Sequence, residues 1–242
     1  MRVETIGNAT LYLGDCIELM GALPDQAFEL SVVDPPYGIN ADRMSMGQNK
    51  NRDDGYARDD STAVRLRKGR LNQGSGKLKN RLLNRSEITW DDEIPSEHYF
   101  SELKRVSKNQ VIFGGNYFPL PPTRCVLCWD KCQPWENFSQ WEMAWTSFDH
   151  PAAIFRYSNT GGANSETKLH PTQKPIPLYS WILQKLAKPG DKILDTHGGS
   201  MSSVIAALNL GFEIVCIEKD PDYYAAALDR VIQSQRQQRL SL

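Results

Sequence analysis

The chain has 242 residues, 40% hydrophobic and 24% charged, with a formal net charge of −1. That suits one globular domain with a sizeable core, the single domain spanning 1–242, with room for an inserted segment. Its apolar runs are too short to cross a bilayer, and no cationic flank precedes an apolar stretch at the N-terminus, so no membrane association is expected and a cytoplasmic protein is.

Taken in chain order, the first strand candidate is Thr10-Leu11-Tyr12-Leu13, followed by Asp15. Leu30-Ser31-Val32-Val33 comes next and runs into Asp34. From Ala41 to Arg85 the pattern lapses into Asn, Gly, Lys and Arg, with 12 Lys/Arg against 5 Asp. This segment, 41–85, carries +7 and leaves −8 for the rest, so the neutral total hides a strong asymmetry. It is expected to be an inserted mobile segment rather than a second domain, either a solvated loop or an arm that contacts DNA. Val111–Phe113, Cys125–Trp129 and Trp141–Trp145 are further strand candidates. Pro175–Ala187 reads as a helix ahead of Lys188-Pro189-Gly190. Ile193-Leu194 ends in Asp195, and a small, apolar helix from Ser200 to Leu210 stops at Gly211. Ile214–Ile217 ends in Glu218, and Pro221 opens a helix to Gln235.

Apolar runs without alternation, bounded by polar turns and separated by helices, describe buried parallel strands. The expected fold is therefore α/β, a doubly wound, mostly parallel sheet. Ligands of such sheets sit beyond the carboxyl ends of the strands, where Asp15, Asp34, Asp195 and Glu218 are expected to gather. The five cysteines do not form a disulfide framework. Cys125 and Cys128 would face opposite sides of a strand, so no metal site is expected.

Asp34-Pro35-Pro36-Tyr37 carries the most chemistry. The exocyclic amine of adenine is a poor nucleophile because its lone pair is delocalised into the ring. Two acceptors on the amino hydrogens turn that lone pair outward. Asp34 offers a carboxylate and Pro35 a main-chain carbonyl. Pro36 helps fix the turn without adding an N–H. Tyr37 offers a flat face to an extruded base, worth on the order of 1–3 kcal/mol.

The stretch Asp195-Thr196-His197-Gly198-Gly199-Ser200-Met201-Ser202 links a strand to a helix. Its glycines let the backbone approach a ligand, and free amides at the helix start suit a carboxylate. Glu218 follows 23 residues after Asp195, a spacing that suits ribose hydroxyls. His170-Pro171-Thr172-Gln173-Lys174-Pro175 precedes a helix, which Thr172 is placed to cap.

In this order the motifs resemble those of the permuted beta group of amino-methyltransferases, bacterial and phage DNA-modification enzymes that act chiefly on adenine N6, some on cytosine N4. Trp90-Asp91-Asp92, Phe113–Phe118 and Trp129-Asp130-Lys131 are similar to the phage-type branch. The resemblance implies a Rossmann-like class I methyltransferase fold, circularly permuted, with a reversed edge strand. It implies S-adenosylmethionine as cofactor, double-stranded DNA as partner and a homodimer as a common assembly. Asp15 and Cys16 would border the cofactor's adenine, Glu218 would hold its ribose, and Lys219 would join the cofactor contacts. The loop from Asp195 through His197, Gly199 and Ser200 to Ser202 would cradle the methionine portion. Thr172, Gln173 and Lys174 would close over that portion, while Asp34, Pro35, Pro36 and Tyr37 would hold the target base. Met201, where a small residue is usual, is expected to crowd the cofactor.

Overall fold

A computed structural model describes residues 2–39, 91–133, 139–158, 169–170 and 172–239. The basic segment 41–85, together with Trp90 and Pro171, lies outside the described residues. Among the described residues are nine strands: β1 (Arg2–Ile6), β2 (Ala9–Leu13), β3 (Phe28–Val33), β4 (Ser107–Phe113), β5 (Leu127–Asp130), β6 (Trp141–Thr146), β7 (Ala153–Arg156), β8 (Lys192–Asp195) and β9 (Glu213–Glu218). The α-helices are α1 (Cys16–Ala22), α2 (Glu97–Val106), α3 (Ile176–Leu186), α4 (Ser202–Leu210) and α5 (Pro221–Arg239).

All nine strands join one sheet in the order β1-β2-β9-β8-β3-β4-β6-β5-β7. From β2 to β4 the five neighbours are parallel. β1 runs antiparallel to β2 at one edge, and β6 runs antiparallel to both of its neighbours inside the sheet. A short connection causes the β1 reversal, since parallel neighbours need a crossover of a dozen or more residues. β1 meets β2 through a tight turn in which Gly7 takes φ +55°.

Residue alternation along the buried strands supplies two cores. Leu30, Val32, Val111, Phe113, Ile193 and Ile214 face a layer made by α3, α4 and α5. Phe28, Val33, Ile112, Leu194 and Ile217 face the opposite layer, made by α1 and α2. Cys125 is buried but precedes its expected strand, which begins at Leu127. Among the described residues no helix is long and apolar enough to cross a membrane.

Candidate active site

Four adjacent parallel strands each deliver an acid to the same edge of the sheet. In sheet order these are Asp15 after β2, Glu218 closing β9, Asp195 closing β8 and Asp34 after β3. The crossovers thus bring into line residues that are scattered along the sequence.

At the Asp34 end, the chain leaves β3 through two prolines and is caught by a buried carboxylate. The amides of Tyr37 and Gly38 both donate to Asp91 Oδ1, at 2.6 and 2.9 Å. The Tyr37 hydroxyl turns back to donate to Asp34 Oδ1 at 2.7 Å. Asp34 Oδ2 accepts from Lys174 Nζ, which also donates to the Tyr37 hydroxyl at 3.2 Å. Tyr117 stacks on the Tyr37 ring with centroids 5.0 Å apart, and Phe118 meets it edge-on. This packing requires Gly114, which has φ +69° and on which a Cβ would lie 2.3 Å from Tyr37 Cε1.

Lys174 also faces Glu142 Oε2 on β6 at 3.2 Å, while Lys131 Nζ pairs with Glu142 Oε1 at 2.5 Å. Burial pushes Asp34 upward and Lys174 pulls it back, with the net shift upward. Burial also favours protonated Glu142, but Lys174 and Lys131 outweigh it and hold this carboxyl below its ordinary value. Burial works against the Lys174 ammonium, yet Asp34 and Glu142 more than reverse that effect. Burial, then the adjoining Asp34, drives the Tyr37 phenol well up, so it remains a donor.

At the Asp195 end, Asp195 Oδ1 accepts from the His197 amide at 3.0 Å and Oδ2 from the Ser203 hydroxyl at 2.5 Å. Burial raises its carboxyl to about 6 against these two bonds. The His197 ring meets Thr196 Oγ1 at 2.9 Å and lies edge-on to Tyr99. Burial lowers it to about 4, so it is neutral near pH 7. Gly198 packs where a Cβ would meet Cys216 Sγ at 2.7 Å. Glu218 accepts the amides of Asp220 and Gly199 at 2.8 and 2.6 Å, and burial still lifts it to about 7. Asp15 caps α1 through the Ile17 amide at 2.8 Å and binds Lys219 Nζ at 3.0 Å. Burial raises Asp15, but these partners outweigh it and leave the carboxyl low. Burial, helped by Asp15, raises the Cys16 thiol to about 12, which removes it as a nucleophile.

Several expected positions fall elsewhere. Lys174 was expected over the methionine portion; here its ammonium lies against Asp34, because two carboxylates converge there. Thr172 does not cap α3: that position is Pro175, and Thr172 bonds to His170 Nδ1 at 3.0 Å instead. Gln173 Oε1 accepts from the Leu169 amide at 2.9 Å, bracing the same turn. Ser200 and Ser202 face each other at 3.2 Å, and Arg230 of α5 donates to the Ser202 hydroxyl at 3.0 Å. Met201, with φ +54°, is completely buried in the α3/α4/α5 core. Sequence reasoning missed the roles of Asp91, Tyr117, Lys131 and Glu142, the signals for which were an acid, an aromatic and two charges inside motifs or strands read for other reasons.

Residues 126–229 match a protein-family model described as DNA methylase. The type II methyltransferase M2.MboI of Moraxella bovis is 23% identical over 246 residues, spanning 89% of this chain and 85% of that protein. The solved structure of PvuII DNA methyltransferase (cytosine-N4-specific) aligns with a TM-score of 0.55 and 15% identity, covering 95% of this chain and 92% of that one. The M1.HpyAVI–SAM complex aligns with a TM-score of 0.51 and 15% identity, covering 92% of this chain and 98% of that one. The fold is that of these methyltransferases.

Proposed function

We propose that this chain is a DNA amino-methyltransferase that transfers a methyl group from S-adenosylmethionine to N6 of an adenine flipped out of duplex DNA. The observation that carries this reading is the Asp34-Pro35-Pro36-Tyr37 turn on the same sheet edge as the Asp195–Ser202 loop and Glu218. The amine motif precedes the cofactor loop in sequence, which supports the permuted beta-group order. The similarities to DNA methylases and to a methyltransferase solved with SAM point the same way.

The cofactor is S-adenosylmethionine, and it supplies an electrophilic methyl group when bound. The residues fit it. Asp220 Oδ2 is buried beside Glu218 and, among the described residues, has no hydrogen-bond donor; a ribose hydroxyl is such a donor. Glu218 would hold the ribose, Asp15 and Cys16 the adenine side, and the amides of 195–202 the methionine side.

Asp34 and the Pro35 carbonyl would accept the two hydrogens of the target amine and turn its lone pair toward the donor. Asp34 would stabilise the positive charge that develops on the amine as it gains the methyl group, until the surplus proton passes to solvent water. A ring face at Tyr37 offsets part of the cost of extruding the base, a few kcal/mol. No side chain need bond covalently to the base.

The similarity to the cytosine-N4-specific PvuII enzyme favours a second reading, N4 of cytosine, by the same chemistry. Incubation of unmethylated DNA with methyl-labelled S-adenosylmethionine, followed by nucleoside analysis, decides between them. We expect labelled N6-methyladenine; N4-methylcytosine alone would replace the first reading with the second, and unlabelled DNA would refute both.

A further inference from the structure

Lys174 Nζ carries hydrogens and donates to Asp34 Oδ2 and, at 3.2 Å, to the Tyr37 hydroxyl. It therefore occupies the bonding position that a target amine would need. With the Tyr37 hydroxyl on Oδ1, both carboxylate oxygens of Asp34 are engaged. An arriving amine must share one of these oxygens or displace the donor already on it. Expelling Lys174 into a void is not an option, because its side chain is only 2% exposed and an unpaired buried ammonium is costly.

A second acceptor is already within reach. Glu142 Oε2 is buried and already faces Nζ as an ion-pair partner at 3.2 Å, with no other hydrogen-bond donor among the described residues. Lys131 pins the other Glu142 oxygen at 2.5 Å, and Lys131 itself lies 5.4 Å from the Trp129 ring centroid. Phe113 presents its ring 4.6 Å from Nζ, a face that favours a cation between the two carboxylates.

Resting on the amino-methyltransferase reading above, we propose that Glu142 is a positioning residue of the base site, which receives the Lys174 ammonium when the target amine takes Asp34. The handover moves one cation between two fixed carboxylates. No proton is transferred and the pocket's net charge is unchanged. Lys174 thus fills the amine position while the site is empty and keeps a partner when it is full.

The test uses the full chain with E142Q, E142D, K174M and the E142Q/K174M double variant. Melting temperature, S-adenosylmethionine affinity by calorimetry, and kcat and KM with methyl-labelled cofactor and DNA are measured for each. Without Glu142, Lys174 stays on Asp34, so E142Q should lower kcat about 30-fold, the scale of a misplaced catalytic group, with cofactor affinity within about twofold. E142D keeps the charge and should fold if E142Q does not, with a smaller loss in the same direction. Once Lys174 is gone, Glu142 has no ammonium to receive from Asp34, so the double variant should match K174M within about twofold. An unchanged kcat in E142Q, losses that multiply in the double variant, or a loss that follows cofactor affinity would each overturn the handover. A wild-type chain that transfers no label overturns the functional reading and takes the handover with it. An active wild type with an unaffected E142Q overturns the handover alone.

Discussion

If Glu218 holds the ribose as proposed, it joins protonation to cofactor binding through a single side chain. Its two oxygens already accept backbone amides, yet burial holds its carboxyl near 7, above the ordinary 4.5. Because the folded value is raised, its contribution to stability is complete below 4.5 and is lost as pH rises through about 7. Ribose hydroxyls donate best to the charged form. Cofactor affinity should therefore tighten as pH rises through about 7, with release of a proton on binding. Calorimetry across that range would measure both. E218Q should bind about tenfold more weakly, the cost of one charged hydrogen bond, and show a flatter profile. Its melting temperature relative to wild type should climb over the same pH interval. A wild-type affinity that does not change with pH would refute the assignment of Glu218 to the ribose.

At the scale of elements, the sequence revealed what depends on local pattern and concealed what depends on contacts across it. The runs ending in Asp34, Asp195 and Glu218 were legible because buried parallel strands are continuously apolar and their ends must turn polar. β1 was not, since Arg2–Ile6 is an exposed edge with charged residues on it. α2 carries a stripe that the sequence also holds, Tyr99, Phe100, Leu103 and Val106 after the Ser96 cap. Asp91 was visible only as part of a motif, because its partners lie 54 and 53 residues away. It carries a prediction of its own. Removing its carboxylate strands the amides of Tyr37 and Gly38, and each buried unsatisfied donor costs about 1–3 kcal/mol. D91A should lose about 2 kcal/mol or more in denaturant melts and lose methyl transfer, while S-adenosylmethionine binding persists because the 195–202 loop is held by other bonds. D91N retains an acceptor oxygen and should recover most of the stability. A D91A variant as stable as wild type would show that the turn is fixed by its prolines alone.

For the whole molecule, the alternation of strands and helices foretold that four acids would share an edge, and they do. It could not foretell that β6 would enter the sheet in reverse and bring Glu142 to Lys174, because pairing partners of a short strand are set by packing and not by its own residues. Charge distribution is a whole-molecule property that the sequence states outright. Segment 41–85 carries +7 while the remainder carries −8, so the rest of the chain by itself repels phosphates. If this segment is the DNA-contacting arm, deleting 49–84 should weaken DNA binding most at low salt. Each lost phosphate contact should flatten the log–log salt dependence by about 0.9. Cofactor affinity should hold within about twofold, because the residues assigned to the cofactor all lie outside the deletion. Fluorescence anisotropy with a DNA duplex over a salt series, beside calorimetry with S-adenosylmethionine, separates the two effects. If the deletion variant binds and methylates DNA as the full chain does, with the same salt slope, the segment is only a solvated loop and the attraction to phosphates must come from the face of the sheet edge itself.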